Sequence, residues 1–416
     1  MTGSKATLML LTGPALTLVV DIGEGGHQHR QLKLLLDQLF QSHHELLDKL
    51  WFYISPVVAR ETQLVLNDEV AHIFHERLIP AQPGSPNSAL RGVSEAANRV
   101  GAAHIIFLEI DPFIYILART RLRQTVSGVW FRPSYHYSRS GLAPEGTAQR
   151  LVSILKNIVA RVLCARRHVH RLLVFDQWAA DHASRYFRTD KIRYVPVPFG
   201  FESMATEGSC LPLHERRLIF SIVGEISKRK GILPVLDALT LLSAGEQRRT
   251  QLNIVGRVRN GQRDCILGAI ANARHSTSVE ILQVDDFVSD QALDETIEHS
   301  DAILILYQRF IGSSGVLIRA ALHKRPVLAT TFGWIGATVR RHQLGPTMNP
   351  RDPKAIASAM TASLNGEYMN FSVESATRFA SGHRPERYAE EVARLLRESA
   401  RRPTNSEPGV VAAAGD

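Results

Sequence analysis

Near-continuous runs of Val, Ile and Leu recur along this chain, and helical periodicity fills the intervals between them. In the first half the runs are "TLVVDI" (17–22), "LWFYIS" (50–55), "HIIFLEI" (104–110), "VSGVW" (126–130), "LLVFD" (172–176) and "IRYVPVP" (192–198). In the second they are "LIFSIVGEI" (218–226), "LNIVGRV" (252–258), "VEILQV" (279–284), "AILILY" (302–307) and "RPVLATT" (325–331). A strand that is apolar throughout needs cover on both faces, and crossover helices of a parallel sheet supply it. The intervening segments fit that role: Ile232, Val235, Leu236, Leu239 and Leu242 form one helical stripe after Gly231. Two such series predict an α/β protein of two Rossmann-like, doubly wound domains.

A length of 416 residues also exceeds what one core usually serves. The first domain is placed at 1–200 and the second at 217–370. The boundary lies in 199–216, "FGFESMATEGSCLPLHER", which has no periodicity. Helices over 371–400 follow, and the last ("ERYAEEVARLLRESA", 386–400) is expected to pack back on the N-terminal domain. The tail 401–416 has the composition of a disordered segment. Two such domains are expected to face a cleft, with ligands bound beyond the carboxyl ends of the strands.

A formal charge of +9, from 49 Lys+Arg against 40 Asp+Glu, suits acidic ligands. The cations are dispersed, without interleaved aromatics or a recognised module, so a nucleic-acid partner is not expected. Cys164, Cys210 and Cys265 are far apart and form no CxxC pair, which implies neither a disulfide framework nor zinc and suggests a reducing compartment. The apolar stretch 6–20 is broken by Gly13-Pro14, lacks a small-residue cleavage site, and is read as leading into a buried strand at 15–22. No run approaches the length of a membrane span, and no amphipathic basic helix stands out. A cytoplasmic protein is expected, with room for peripheral contact with an anionic membrane.

Three loops invite chemistry. "DIGEGGHQHR" (21–30) puts Gly25 and Gly26 between a strand and a helix, where glycine permits close backbone approach to a phosphate. The spacing is not GxGxxG, so a tight turn is the competing reading. "VGEISKRKGI" (223–232) sets Arg229 and Lys230 at a strand-to-helix turn, as a clamp for a diphosphate or as a basic surface turn. "GSSG" (Gly312, Ser313, Ser314, Gly315) can direct backbone N–H groups at an oxyanion, or simply cap the helix behind it. Asp285-Asp286 is read as surface and not as a metal motif, and Glu109 and Asp111 end a strand without a spacing that selects either as base.

Taken together, "FSIVGEISKRKGILPVLDAL", "LNIVGRV", "DDFVSDQALDETIEHSDAILILY" and "GSSGVLIRAALHKRPVLATTFGWIGATVRRHQLG" resemble, in order and spacing, the donor-binding domain of family-four glycosyltransferases of the GT-B fold. The resemblance covers about 217–365. It implies that Lys230 contacts a donor diphosphate, that Gly312 to Gly315 touch sugar and phosphates, and that Gly25 and Gly26 are the glycine turn of the first domain. It implies a histidine near the reacting sugar, for which His136 of "VWFRPSYHY" (129–137) is the candidate. The sequence departs from the family at three places. The two glutamates usual eight residues apart are Ile311 and Arg319, and an arginine common before the RKG turn is Glu225. A guanidinium only donates hydrogen bonds, so Arg319 is expected to pair with phosphate instead.

The expected activity is transfer of a sugar from a nucleotide-diphosphate donor to a glycan, lipid-linked or small-molecule hydroxyl, with retention of configuration and without metal or cofactor. The missing glutamates also allow an inactive or regulatory nucleotide-sugar-binding protein, and an epimerase of similar architecture would act on the donor alone.

Overall fold

The computed structural model describes residues 16–23, 28–137, 147–200, 217–367 and 370–400. Seven parallel strands make the first sheet: β1 (Thr17–Asp21), β2 (Leu50–Ile54), β3 (Leu78–Pro80), β4 (His104–Phe107), β5 (Thr125–Trp130), β6 (Val169–Val174) and β7 (Ile192–Tyr194). Their order is β3-β2-β1-β4-β5-β6-β7. Six parallel strands make the second: β8 (Leu218–Val223), β9 (Thr250–Val255), β10 (Glu280–Val284), β11 (Ala302–Ile305), β12 (Val327–Thr330) and β13 (Thr347–Met348). Their order is β10-β9-β8-β11-β12-β13.

Both orders run outward from the first strand of the set, then cross over and run the other way, as doubly wound sheets do. All residues of β1, β4, β11 and β12 are buried, which explains why apolar residues dominate them, with Thr17, Asp21, His104 and Thr330 as buried polar members. β10 lies at an edge, and alternation appears there, with Leu282 and Val284 exposed. Helix Gln28–Ser42 covers the first sheet with Leu32, Leu35, Leu36 and Leu39, all buried. In the second, Ile232, Val235, Leu236, Leu239 and Leu242 join the strand side chains in one core.

Two strands, β3 and β13, are missing from the sequence reading because each is two or three residues long, too short to show a period. β6 begins at Val169 and not at 172, because His170 and Arg171 are buried polar residues inside the strand. The chain divides into two compact units: Met1–Phe131, Ile158–Val195 and Pro385–Asp416 in one, Arg132–Asn157 and Pro196–Arg384 in the other. The first is discontinuous along the chain.

Side-chain bonds explain both exchanges. Tyr137 donates to the Ile311 carbonyl at 2.9 Å, tying the 132–137 segment to the second unit. Helix Pro385–Ala400 lies against helix Gln28–Ser42 and buries Tyr388, Val392 and Leu395. Its Glu398 bridges Arg171 at 3.3 Å and Arg193 at 3.2 Å. Arg171 keeps its pair with Asp190 at 2.8 Å, so loss of the Glu398 charge removes one of its two carboxylate partners and the bridge to Arg193. Glu398→Gln is therefore expected to destabilise the first unit by about 1 kcal/mol, read as a lower urea midpoint for that unit.

Candidate functional site

The second sheet changes direction between β8 and β11, and the crevice beyond the carboxyl ends of such a strand pair is where doubly wound sheets bind ligands. Two of the three loops singled out from sequence leave these two strands. After β8 the chain passes Gly224 and makes a tight turn at Lys228–Lys230, then enters helix Ile232–Leu239 through Gly231 at φ 78°. A Cβ at Gly231 would stand 2.2 Å from the Leu306 carbonyl oxygen, so only glycine lets this turn close on the end of β11. The Gln308 amide then donates to the Arg229 carbonyl at 2.6 Å, locking the loops together.

Lys230 is buried; its Nζ donates to the Val223 carbonyl and lies 5.3 Å from the centroid of Tyr307. The Arg229 guanidinium lies 5.1 Å from the same ring and 4.7 Å from that of Phe310. Burial pushes the Tyr307 phenol up, but the Lys230 charge, hydrogen bonds with Ser314 and Lys230, and the Arg229 charge more than offset it and hold it below the usual range. Lys230 and Ser314, drawn from different loops, thus share one buried phenol.

Ser314 is also the N-cap of helix Gly315–Leu322, accepting from the Leu317 amide at 3.4 Å. Gly312 is buried against the Phe310 ring, Ser313 is half-buried and Gly315 is exposed. Just before them, the Ile311 carbonyl accepts from the Trp334 amide at 3.0 Å as well as from Tyr137. That bond brings the His136 segment to the same loop. The His136 ring itself is buried, 3.8 Å from the ring of Tyr137 and 5.5 Å from that of Tyr135.

The Arg319 guanidinium bonds Asp290 at 2.6 Å and Asp294 at 2.5 Å, both on helix Asp290–Glu298, and stacks 4.8 Å from Phe199. His323, one turn on, bonds the other Asp294 oxygen at 3.1 Å. Two carboxylates already neutralise the guanidinium, so the charge reversal at this position is met inside the fold. The signal was available in sequence: Asp290/Asp294 is an acidic and Arg319/His323 a basic i,i+4 pair, so each helix presents one charged face that complements the other's. Glu225 is similarly occupied, in a two-bond pair with Arg259 at 2.9 Å that holds its carboxyl below the usual range. Asp285, read as surface, accepts from the Val258 amide at 2.8 Å and pairs with Arg263.

In the first unit, Gly25 and Gly26 lie outside the described residues. Asp21, which sequence reasoning passed over, ends β1 beside β4, at the switch point of its own sheet. It is buried and accepts from the Gly23 amide at 3.0 Å. Burial, reinforced by the charge of Glu109, outweighs that bond and pushes its carboxyl up to about 6. Among the described residues no group of three or more His, Cys, Asp or Glu is placed to hold a metal ion.

Two Rossmann-like domains, the second with a cationic switch point, define a protein of the GT-B fold. Residues 217–365 match the family of glycosyl transferases group 1. Three solved structures are similar across the chain. HepE from Anabaena, in complex with UDP and glucose, is 15% identical with a TM-score of 0.61, covering 92% of this chain and 100% of that one. WaaG, a glycosyltransferase involved in lipopolysaccharide biosynthesis, is 13% identical with a TM-score of 0.61, covering 92% and 99%. The sucrose-phosphate synthase of Thermosynechococcus elongatus is 15% identical with a TM-score of 0.64, covering 92% and 98%. No curated protein matches the sequence.

An acid whose pKa is raised by folding contributes stability at low pH and loses it as pH climbs to the folded value. For Asp21 the loss falls between its ordinary value of 3.8 and about 6. Between pH 4.5 and 7.5 wild type should therefore lose about 2 kcal/mol relative to Asp21→Asn, measured by urea unfolding of both proteins at both pH values. Arg319→Met should cost about 2 kcal/mol, because it leaves Asp290 and Asp294 facing each other; partial exposure of both carboxylates keeps the cost below that of a fully buried pair.

Proposed function

We propose that the protein is a glycosyltransferase that moves a sugar, a hexose in the first instance, from a nucleotide-diphosphate donor to a hydroxyl acceptor. The reading is carried by one observation: the Lys230 ammonium and the Arg229 guanidinium lie 5.3 and 5.1 Å from the centre of the Tyr307 ring at the β8/β11 switch point. A diphosphate there would meet the Lys230 ammonium, the Arg229 guanidinium and the N-terminal end of helix Gly315–Leu322. Cations and backbone dipoles aimed at the departing diphosphate stabilise charge where it develops, and they need no metal ion for that. The group 1 match over 217–365, and a solved relative of the same fold that holds UDP and glucose, support a nucleotide sugar as donor.

In this reading His136 stands near the reacting sugar. Its segment reaches the donor loop through the Tyr137 bond to Ile311. The configuration of the sugar is retained, as the resemblance implies, and no cofactor takes part. The acceptor is a glycan, a lipid-linked molecule or a small hydroxyl compound. Arg319, at a position where the resemblance leads one to expect a carboxylate, favours a second reading: a protein that binds the donor without turnover.

One experiment separates the two. Binding of UDP-, GDP- and dTDP-sugars is ranked by thermal shift, and the best donor is then assayed for transfer and hydrolysis. Lys230→Met keeps the aliphatic stem and removes the charge. It is expected to lower kcat/KM by about 100-fold or more while the fold survives. An unimpaired variant would remove the role assigned to Lys230. Donor binding by wild type with neither transfer nor hydrolysis would select the second reading.

A further inference from the structure

In the second unit, the guanidiniums of Arg217, Arg259, Arg263 and Arg319 each bond a carboxylate, from Glu280, Glu225, Asp285 and the Asp290/Asp294 pair. Arg229 is held differently. Its guanidinium lies over two aromatic rings, 4.7 Å from the centre of Phe310 and 5.1 Å from that of Tyr307. The rings are 5.5 Å apart and inclined at 69°, so the cation is bounded by two walls set at a steep angle. A carboxylate would neutralise the guanidinium and occupy its N–H donors. A ring face attracts the charge without cancelling it and takes none of the donors in the guanidinium plane. Arg229 is thereby fixed in place and still able to bond an oxyanion at two points.

The seat of Phe310 is built into its loop. Arg309, the residue before it, has φ 50°, in the left-handed region. Arg188 and Gln343 adopt that conformation at the C-cap of a helix and Lys324 directly after one, where it is ordinary. Arg309 adopts it in a loop, where a side chain keeps such a backbone only when its surroundings enforce it. Gln308 supplies part of that constraint, through its amide to the Arg229 carbonyl and its side chain to the Pro350 carbonyl. The turn returns Phe310 to Tyr307, three positions earlier. The same ring packs on Gly312, where a Cβ would stand 3.1 Å from the ring's Cζ. One half-buried side chain thus touches both the cationic turn after β8 and the small-residue loop after β11.

We propose that Phe310 is a positioning residue for the donor diphosphate: with Tyr307 it holds the Arg229 guanidinium against the Gly312–Gly315 loop, so that turn and loop grip one anion together. The inference rests on the transferase reading, in which Arg229 meets the diphosphate. Binding to the full-length protein is measured by titration calorimetry with two probes, pyrophosphate and UDP. Phe310→Leu keeps an apolar side chain and removes the ring face, and should raise both Kd values about fivefold. Arg229→Met should weaken binding at least as much. In the Arg229→Met background Phe310→Leu should add nothing, because a ring that acts through the guanidinium has no role once the guanidinium is gone. Phe310→Tyr, which keeps the face, should bind as wild type does. Phe310→Met, a second variant without a ring, should repeat the Leu result, and urea midpoints of all variants show whether the fold is kept. Additive losses in the double variant, or unchanged Kd values for both ring-less variants, would overturn the role of Phe310 and leave the transferase reading standing. Wild type that binds neither probe would overturn both.

Discussion

Everything in the second unit's site depends on how closely the Lys228–Gly231 turn approaches the end of β11. Gly231 makes that approach possible because no Cβ fits against the Leu306 carbonyl, and the Gln308–Arg229 bond fixes it. The consequence is electrostatic. Lys228, Arg229 and Lys230 gather where the two strands end, while the one acid in the turn, Glu225, is already neutralised by Arg259. An ammonium as buried as that of Lys230 costs free energy even when a carbonyl and an aromatic face attend it. A methionine would serve packing alone at lower cost. Retaining a cation here makes physical sense when an anion completes the arrangement.

Most of the fold is legible because burial on both faces writes itself into strands such as β8 and β11 as largely apolar runs. The candidate loops are legible for a related reason: glycine and cation clusters at strand-to-helix turns have few other uses. What escapes is whatever depends on partners distant in sequence. Tyr307 reads as the last residue of an apolar run, and nothing local says that its phenol joins Lys230 to Ser314. Tyr137 lies 174 positions from the carbonyl it bonds, so the transfer of its segment to the second unit leaves no local trace. The carboxylate partners of Arg319, Asp290 and Asp294, come from the neighbouring helix, some 25 to 29 positions earlier in the chain.

Helix Thr147–Ala165 shows the limit of periodicity itself. Its amphipathic pattern is strong, and the ordinary inference turns the aliphatic side toward the core. A pattern specifies two faces and leaves open which one is buried. Here Ser153, Ala160 and Cys164 are small enough to let the helix sit close to its neighbours, so the small-residue side is the inner one.

The two sheets use one topology with opposite electrostatics. In the second unit the switch point holds buried Lys230 and half-buried Arg229; in the first it holds buried Asp21, with Glu109 close enough to raise it further. Winding order explains why both charged groups fall at such points, since only there do neighbouring crossovers diverge and leave the strand ends uncovered. It does not dictate their sign. A cationic crevice attracts phosphate, whereas a buried carboxyl offers hydrogen bonds to a hydroxyl and repels anions. The transferase reading proposed above uses the cationic environment; the carboxyl stands on the other sheet, tuned by its own burial.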